Sequence, residues 1–356
     1  MKNSFLKLLI LVTFTLCVYN TFGQNSTPAS PFTPVKPPSP SPEDIATKYA
    51  NMIALDSLKK KVYILASDEF EGRKTGENGQ KLAADYLVKT YKNAGISAAY
   101  KDGAYLQHIK KKFFRGRSMG DSENVVAYIK GSEKPDEFIV ISAHYDHEGI
   151  KGNKIYNGAD DDASGTSAVL QIAEAFQKAV KDGHGPKRSI VFLNVTGEEA
   201  GLFGSLYYTE NPIFPLANTI VNLNIDMIGR VDKKHESNPE FVYLIGADKL
   251  SRELHELSEA MNDKYLDLTL DYTYNDENDP NRFYYRSDHY NFAKNDIPVI
   301  FYFNGTHADY HQPSDTPDKI EYDLLENRAR LVFYTAWEIA NRENRIVVDK
   351  PTKKAE

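Results

Sequence analysis

Cysteine is almost missing from this chain. Cys17 is the only one among 356 residues, and it lies in an N-terminal apolar stretch. A single cysteine forms no internal disulfide and supplies no thiolate set for a metal. A basic block is missing too. The formal net charge is −7, and the clustered positive footprint that nucleic acids require is absent, so nucleic acid is excluded as a partner class. A membrane span needs roughly 20 consecutive apolar residues. The stretch "LLILVTFTLCVY" falls short of that.

Lys2 and Lys7 precede that stretch, and "NTFGQ" with small Gly23 follows it. This order of basic, apolar and small residues predicts a secretory signal over residues 1–23, with a retained anchor as the alternative. Leu16 is too bulky for the usual position before a lipidated cysteine. Residues 24–44, beginning "QNSTPASPFTPVKPPSPSP", are rich in proline and serine and predict an extended linker. A secreted or periplasmic location follows, with no membrane span in the mature chain. Residues 45–348 read as one catalytic domain, and 349–356 as a disordered tail.

Within 45–348, buried-looking strands alternate with helical patterns. "DIATKYANMIALDSLKKKVYILA" and "GQKLAADYLVKTYKNAG" have helical spacing, the second closed by Gly95. "ENVVAYIKG", "EFIVISAH", "RSIVFLNV", "TIVNLNI", "FVYLIG" and "IPVIFYF" read as strands. "ASGTSAVLQIAEAFQKAVKDG", "KLSRELHELSEAMND" and "YDLLENRARLVFYTAWEIANR" read as helices. The alternation predicts an α/β fold, a three-layer α/β/α arrangement around a mixed, largely parallel sheet.

The strand ends carry the chemistry. "EFIVISAH" ends at His144, "RSIVFLNVTGEE" at Glu198 and Glu199, and "TIVNLNID" at Asp226. "IPVIFYF" leads into a loop with His307 and His311. In open α/β sheets, ligands bind outside the carboxyl ends of the strands. Taken singly, "HYDH" and "GEEAG" are ordinary: histidines at strand ends are often satisfied polar residues, and paired glutamates are common on surfaces. Their shared position after buried strands is not ordinary, because a carboxylate leaving an apolar strand needs a partner. The loop "NGADDDASGTS" adds Asp160, Asp161 and Asp162 side by side. Three adjacent carboxylates repel unless something offsets the charge, and a bound cation does so.

Imidazole and carboxylate donors without thiolate suit a catalytic zinc centre. Two histidines with several carboxylates exceed the needs of one ion. They fit two ions about 3.5–4 Å apart sharing a carboxylate and a water. Zinc, cobalt and manganese all suit such donors. A glutamate beside the ions would act as general base. Alternate residues of an extended chain face one side, so the Asp146 carboxylate is expected to accept the second ring N–H of His144. His147, His235 and His307 read as satisfied polar residues, with His307 near the site rim.

In this order, "HYD", "GADDDASG", "GEEAG", "NIDM", "RSDH" and "YHQPSDT" resemble the co-catalytic zinc aminopeptidases of metallopeptidase family 28, the bacterial leucyl aminopeptidase type. The resemblance covers roughly residues 45–348. It implies two Zn2+ ions and a peptide substrate with a free N-terminus. It implies that His144 and Asp226 serve one zinc, that His311 and Glu199 serve the other, and that Asp161 bridges them with a water or hydroxide. Glu198 matches the general acid/base, and Asp146 the partner of His144. Tyr284, with Tyr285 as rival, lies where some members place a tyrosine that stabilises the tetrahedral intermediate. Asp288 matches a structural or pocket-lining position, and Asp160 and Asp162 flank the bridging residue, turned toward backbone donors or the following helix. The segment from Lys101 to Ser122 is too short for the lid domain of larger members. Two other readings stand beside the hydrolase: a glutaminyl cyclase of the same fold and a non-catalytic binding module. The intact triplet and "GEEAG" favour the hydrolase.

Overall fold

The computed structural model describes residues 42–350 apart from Ser118. The helices are α1 (Pro42–Ala50), α2 (Leu55–Leu65), α3 (Asn78–Ala94), α4 (Gly165–Lys181), α5 (Phe203–Glu210), α6 (Arg252–Tyr265), α7 (His289–Ala293) and α8 (Tyr322–Asn341). The strands are β1 (Ser97–Ala98), β2 (Leu106–Ile109), β3 (Ser122–Ile129), β4 (Lys134–His144), β5 (Gly149–Lys151), β6 (Lys154–Tyr156), β7 (Arg188–Val195), β8 (Thr219–Ile225), β9 (Phe241–Ile245), β10 (Thr269–Asp271) and β11 (Val299–Phe303).

The segment "DIATKYANMIALDSLKKKVYILA" is two helices rather than one. The chain leaves helical geometry before Ala54, which is extended, and the Glu326 carboxylate accepts the freed Leu55 N–H at 3.2 Å. Helix α1 starts at Pro42, inside the segment read as linker, because proline suits the first turn of a helix. Asp349 and Lys350, read as tail, are held in place: both donate backbone N–H bonds to the Leu250 carbonyl, at 3.1 and 3.2 Å. The signal segment, the rest of the linker and residues 351–356 lie outside the described residues.

The main sheet runs β1-β3-β7-β4-β8-β11-β9-β10, with β2 also paired to β3. Its centre is parallel: β7 with β4, β4 with β8, and β8 with β11. The flanks turn antiparallel at β3–β7 and β11–β9. Parallel strands covered on both faces need apolar residues on both faces. In β4, Ile139, Ile141 and Ala143 enter the larger core with α2, α3, α4 and α8, while Phe138 and Val140 face the smaller one with Tyr208 of α5 and Phe292 of α7. The three-layer α/β/α arrangement expected from the sequence is thus present. Helix α3 ends as its sequence implies, with Gly95 in the left-handed region at φ 79° taking the last carbonyls.

Two buried arginines tie loops to this frame. The Arg73 guanidinium donates to the carbonyls of Leu65, Tyr145, Asn157 and Gly158. It thereby fixes the loop after His144 to the loop before the aspartate triplet. Arg328 does the same for Ile228, Arg230, Pro239 and Phe241. Among the described residues, no helix is long and apolar enough to cross a membrane.

Candidate metal centre

Three neighbouring parallel strands deliver the first side chains. His144 ends β4 and sits opposite Val195, the last residue of β7. Glu198 and Glu199 follow three and four residues later, and Asp226 comes directly after β8. The loop after β11 brings His311, and the turn before α4 brings Asp161. The adjacent carboxyl ends of the sheet thus gather the donors.

Asp161 occupies the middle. Its Oδ1 lies 3.1 Å from His144 Nε2, and its Oδ2 lies 3.0 Å from His311 Nε2. On one side, His144 Nε2 is also 3.5 Å from Asp226 Oδ1. On the other, Glu199 Oε2 is 3.1 Å from His311 Nε2. The donor atoms converge in overlapping groups, each within 4.8 Å: His144, Asp161 and Asp226; His147, Asp161 and Glu199; and Glu148, Glu199 and His311. All seven predicted residues of the metal centre and its base therefore lie at one place: His144, Asp146, Asp161, Glu198, Glu199, Asp226 and His311.

His147, read from the sequence as a satisfied polar residue, belongs here as well. Its ring is buried, and among the described residues neither nitrogen has a hydrogen-bond partner. Nδ1 nevertheless lies 2.7 Å from Glu199 Oε1, which is itself unpartnered. Two donor atoms in close approach without a shared hydrogen bond fit ligands arranged around a cation. The converging imidazole and carboxylate atoms, with no thiolate, fit zinc. His147 lies three residues past His144 in sequence, with no periodic pattern to single it out; only the folded loop turns it inward.

Supporting bonds hold this geometry. The expectation for Asp146 needs correcting. His144 Nδ1 is 3.1 Å from the backbone carbonyl of Asp146, whereas the Asp146 carboxylate lies 3.8 Å away. That carboxylate is committed elsewhere, accepting from Thr75 Oγ1 at 2.6 Å and from the Glu198 N–H at 3.2 Å. Asp226 Oδ2 accepts from Ser287 Oγ at 2.6 Å. Asp160 Oδ1 accepts the Gly229 N–H at 2.7 Å, and its Oδ2 is 3.1 Å from His307 Nε2. Asp162 Oδ1 accepts from the N–H groups of Gly165, which opens α4, and Met227. The peptide between Asp161 and Asp162 is cis. Gly158 precedes the triplet at φ 53°, where a Cβ would lie 2.1 Å from the Asp161 carbonyl and 2.5 Å from the His147 ring. Only glycine fits there.

Asp315 carried no expectation beyond its place in "YHQPSDT". Buried, it accepts the backbone N–H of Asp160 at 3.0 Å and of Asp161 at 3.2 Å. Four residues after His311, it joins the His311 loop to the Asp161 loop. Asp315→Asn keeps the shape but replaces one accepting oxygen with a donor facing those N–H groups. The expected result is a stability loss of about 1–3 kcal/mol and weaker metal binding, read by thermal melting and zinc titration.

Tyr284 is not at the centre. It belongs to a single 3-10 turn, Phe283–Tyr285, in which successive side chains point about a third of a turn apart. Phe283 faces the cavity beside the ligands, whereas the Tyr284 ring packs at Gly246 and beneath Lys249. Tyr285, the rival, is exposed and also absent from the cavity wall. The tyrosine lining that cavity is Tyr310, whose phenol lies 3.4 Å from Arg286 Nη2 and whose ring stacks on His311. Asp288 is buried behind the site and accepts from Ser205.

The charges respond to this crowding. Burial opposes ionisation of Asp161, but His147, His144 and His311 hold it well below the usual carboxylate range. Burial, then the charges of Asp226, Glu199 and Asp288, pushes Glu198 well above that range against the pull of His144. Burial first, with Asp146 and Asp226, raises Asp288 to about 7. Burial lowers His311, but Asp161 and Glu199 outweigh it and raise the group to about 10. These donors hold protons that a bound metal ion would displace.

A three-layer α/β/α fold with an imidazole–carboxylate cluster at the carboxyl edge of its sheet defines the class: a protein with a donor set able to hold a metal ion. The sequence model of peptidase family M28 matches residues 124–336, more than half of the chain, and the chain belongs to that family. Among curated relatives, a probable zinc metalloprotease of Pyricularia oryzae is 28% identical over 259 residues, covering 61% of this chain and 50% of its own length. The chain spans half or less of the curated relatives it matches first. Among solved structures, the LapA aminopeptidase of Legionella pneumophila is similar with TM-score 0.66 and 22% identity, over 90% of this chain and 81% of that one. The zinc aminopeptidase BSAP of Bacillus subtilis is similar with TM-score 0.61 and 16% identity, over 82% and 96%.

Proposed function

We propose that this chain is an exported zinc aminopeptidase that hydrolyses the first peptide bond of substrates with a free N-terminus. One observation carries the reading: the two oxygens of Asp161 face two separate imidazole–carboxylate groups. His144, Asp161 and Asp226 would hold one zinc. Asp161, Glu199 and His311, with His147 alongside, would hold the other. Two bound zinc ions supply Lewis acidity toward the scissile carbonyl and lower the pKa of a water.

The chain's own residues supply the rest. Glu198 stands at the wall of the cavity beside Asp161, Asp226 and His311. Its carboxylate would take a proton from the attacking water and deliver it to the leaving nitrogen. Met227, Phe283, Phe301, Phe303 and Tyr310 line the same cavity and place apolar surface beside the donors. The carboxylates around the site attract the substrate's α-amine. Export rests on the basic, apolar and small residues of the first 23 positions.

Removing metal tests the reading. Chelation should abolish cleavage of leucyl-p-nitroanilide without unfolding the protein, and added Zn2+ should restore it. Full turnover by protein stripped of metal would refute it.

A further inference from the structure

The donor cluster lies between two cavities. One is the cavity just described, whose wall includes Asp161, Glu198 and Asp226 with Arg286. The other, of about 340 Å³, lies past His147, Glu148 and Glu199 and is bounded by Lys74, Thr75, Arg117 and Met119. Apart from the groups assigned to zinc, the first wall keeps one carboxylate, Glu198, with Arg286, and the second keeps one carboxylate, Glu148, with two cations, Lys74 and Arg117. In the first, Arg286 stacks on Phe283, with its guanidinium carbon 4.8 Å from the ring centroid. In the second, Arg117 lies over Phe203 at 5.9 Å and forms no ion pair among the described residues. Among the described residues, Lys74, itself 43% exposed, forms an ion pair only with exposed Glu77, at 2.9 Å. Glu148 is paired with Lys151.

This asymmetry gives the substrate a direction. A free α-amine is repelled by Lys74 and Arg117 and lies instead toward the first cavity, where Glu198 is not assigned to a metal. The portion that leaves then lies in the second cavity, which has room for one residue. We propose that Lys74 and Arg117 select substrates bearing a carboxylate on the residue after the scissile bond. That carboxylate is either the α-carboxylate of a dipeptide or the side chain of an acidic second residue. The guanidinium is the stronger partner, because it presents a fork of N–H donors. The inference rests on the aminopeptidase reading and names the substrate class of that same site.

Four peptides test it on the zinc-loaded full chain. Leu-Ala against Leu-Ala-amide isolates the terminal carboxylate; Leu-Glu-amide against Leu-Gln-amide isolates the side chain. The expected result is a kcat/KM ratio of about tenfold or more within at least one pair, as a charge-assisted hydrogen bond supports. In the Lys74→Gln/Arg117→Gln double variant that ratio should fall toward one. A ratio near one in the wild-type protein overturns the proposal and leaves the aminopeptidase reading intact. So does a raised ratio that the double variant retains. No turnover of any of the four peptides overturns both.

Discussion

Glu198→Gln is expected to bind zinc and fold as the parent does, while kcat falls by about 10²–10⁴-fold, the usual contribution of a general base. The reason is geometric. Glu198 is absent from the converging ligand groups yet lines the cavity wall beside Asp161 and Asp226. Its backbone N–H, which holds Asp146 at 3.2 Å, is untouched by the substitution. The amide keeps the size and loses the ability to take a proton. Three measurements decide: zinc per chain, melting temperature, and kcat on leucyl-p-nitroanilide. Near-normal turnover would remove Glu198 from the chemistry. A large loss of zinc would make it a ligand.

Asp161→Asn is expected to be more damaging than either neighbouring change. Both Asp161 oxygens face donors, His144 on one side and His311 on the other. An amide offers one accepting oxygen, so one of the two groups loses its shared carboxylate. The expected outcome is at most one zinc per chain and activity near background. Asp160→Asn and Asp162→Asn act differently, because those side chains grip Gly229, Gly165 and Met227 N–H groups and His307. Each should cost about 1–3 kcal/mol of stability, the cost of leaving a buried partner unsatisfied, with zinc stoichiometry retained. If a flanking change stripped zinc while Asp161→Asn kept both ions, the assignment of the bridge would fall.

The sequence made the core strands legible because parallel strands covered on both faces are written as unbroken apolar runs. Their polar ends then stand out, so His144, Glu198, Glu199 and Asp226 are legible as a group in the sequence. The short strands β1, β2, β5, β6 and β10 were not visible, since two to four residues carry no period. Side-chain direction within a turn was equally hidden. "FYY" offers two tyrosines, yet the 3-10 turn sends Phe283 to the cavity, and the tyrosine there is Tyr310, from another loop. His144 and Asp146 show the same limit at finer scale. Period-two spacing implied a carboxylate partner, but the backbone carbonyl takes the ring, because Thr75 and the Glu198 N–H already hold the carboxylate. His147 and Asp315 depend on contacts between segments far apart in sequence, and no local pattern encodes those.

In the proposed centre, Asp161 would bridge two zinc ions. Crystals of the zinc-loaded protein, measured at the zinc absorption edge, test it most directly. Two anomalous peaks about 3.5–4 Å apart are expected. One should lie among Asp161, His144 and Asp226, and the other among Asp161, His311 and Glu199. A single peak, or two peaks that do not share Asp161, would contradict it.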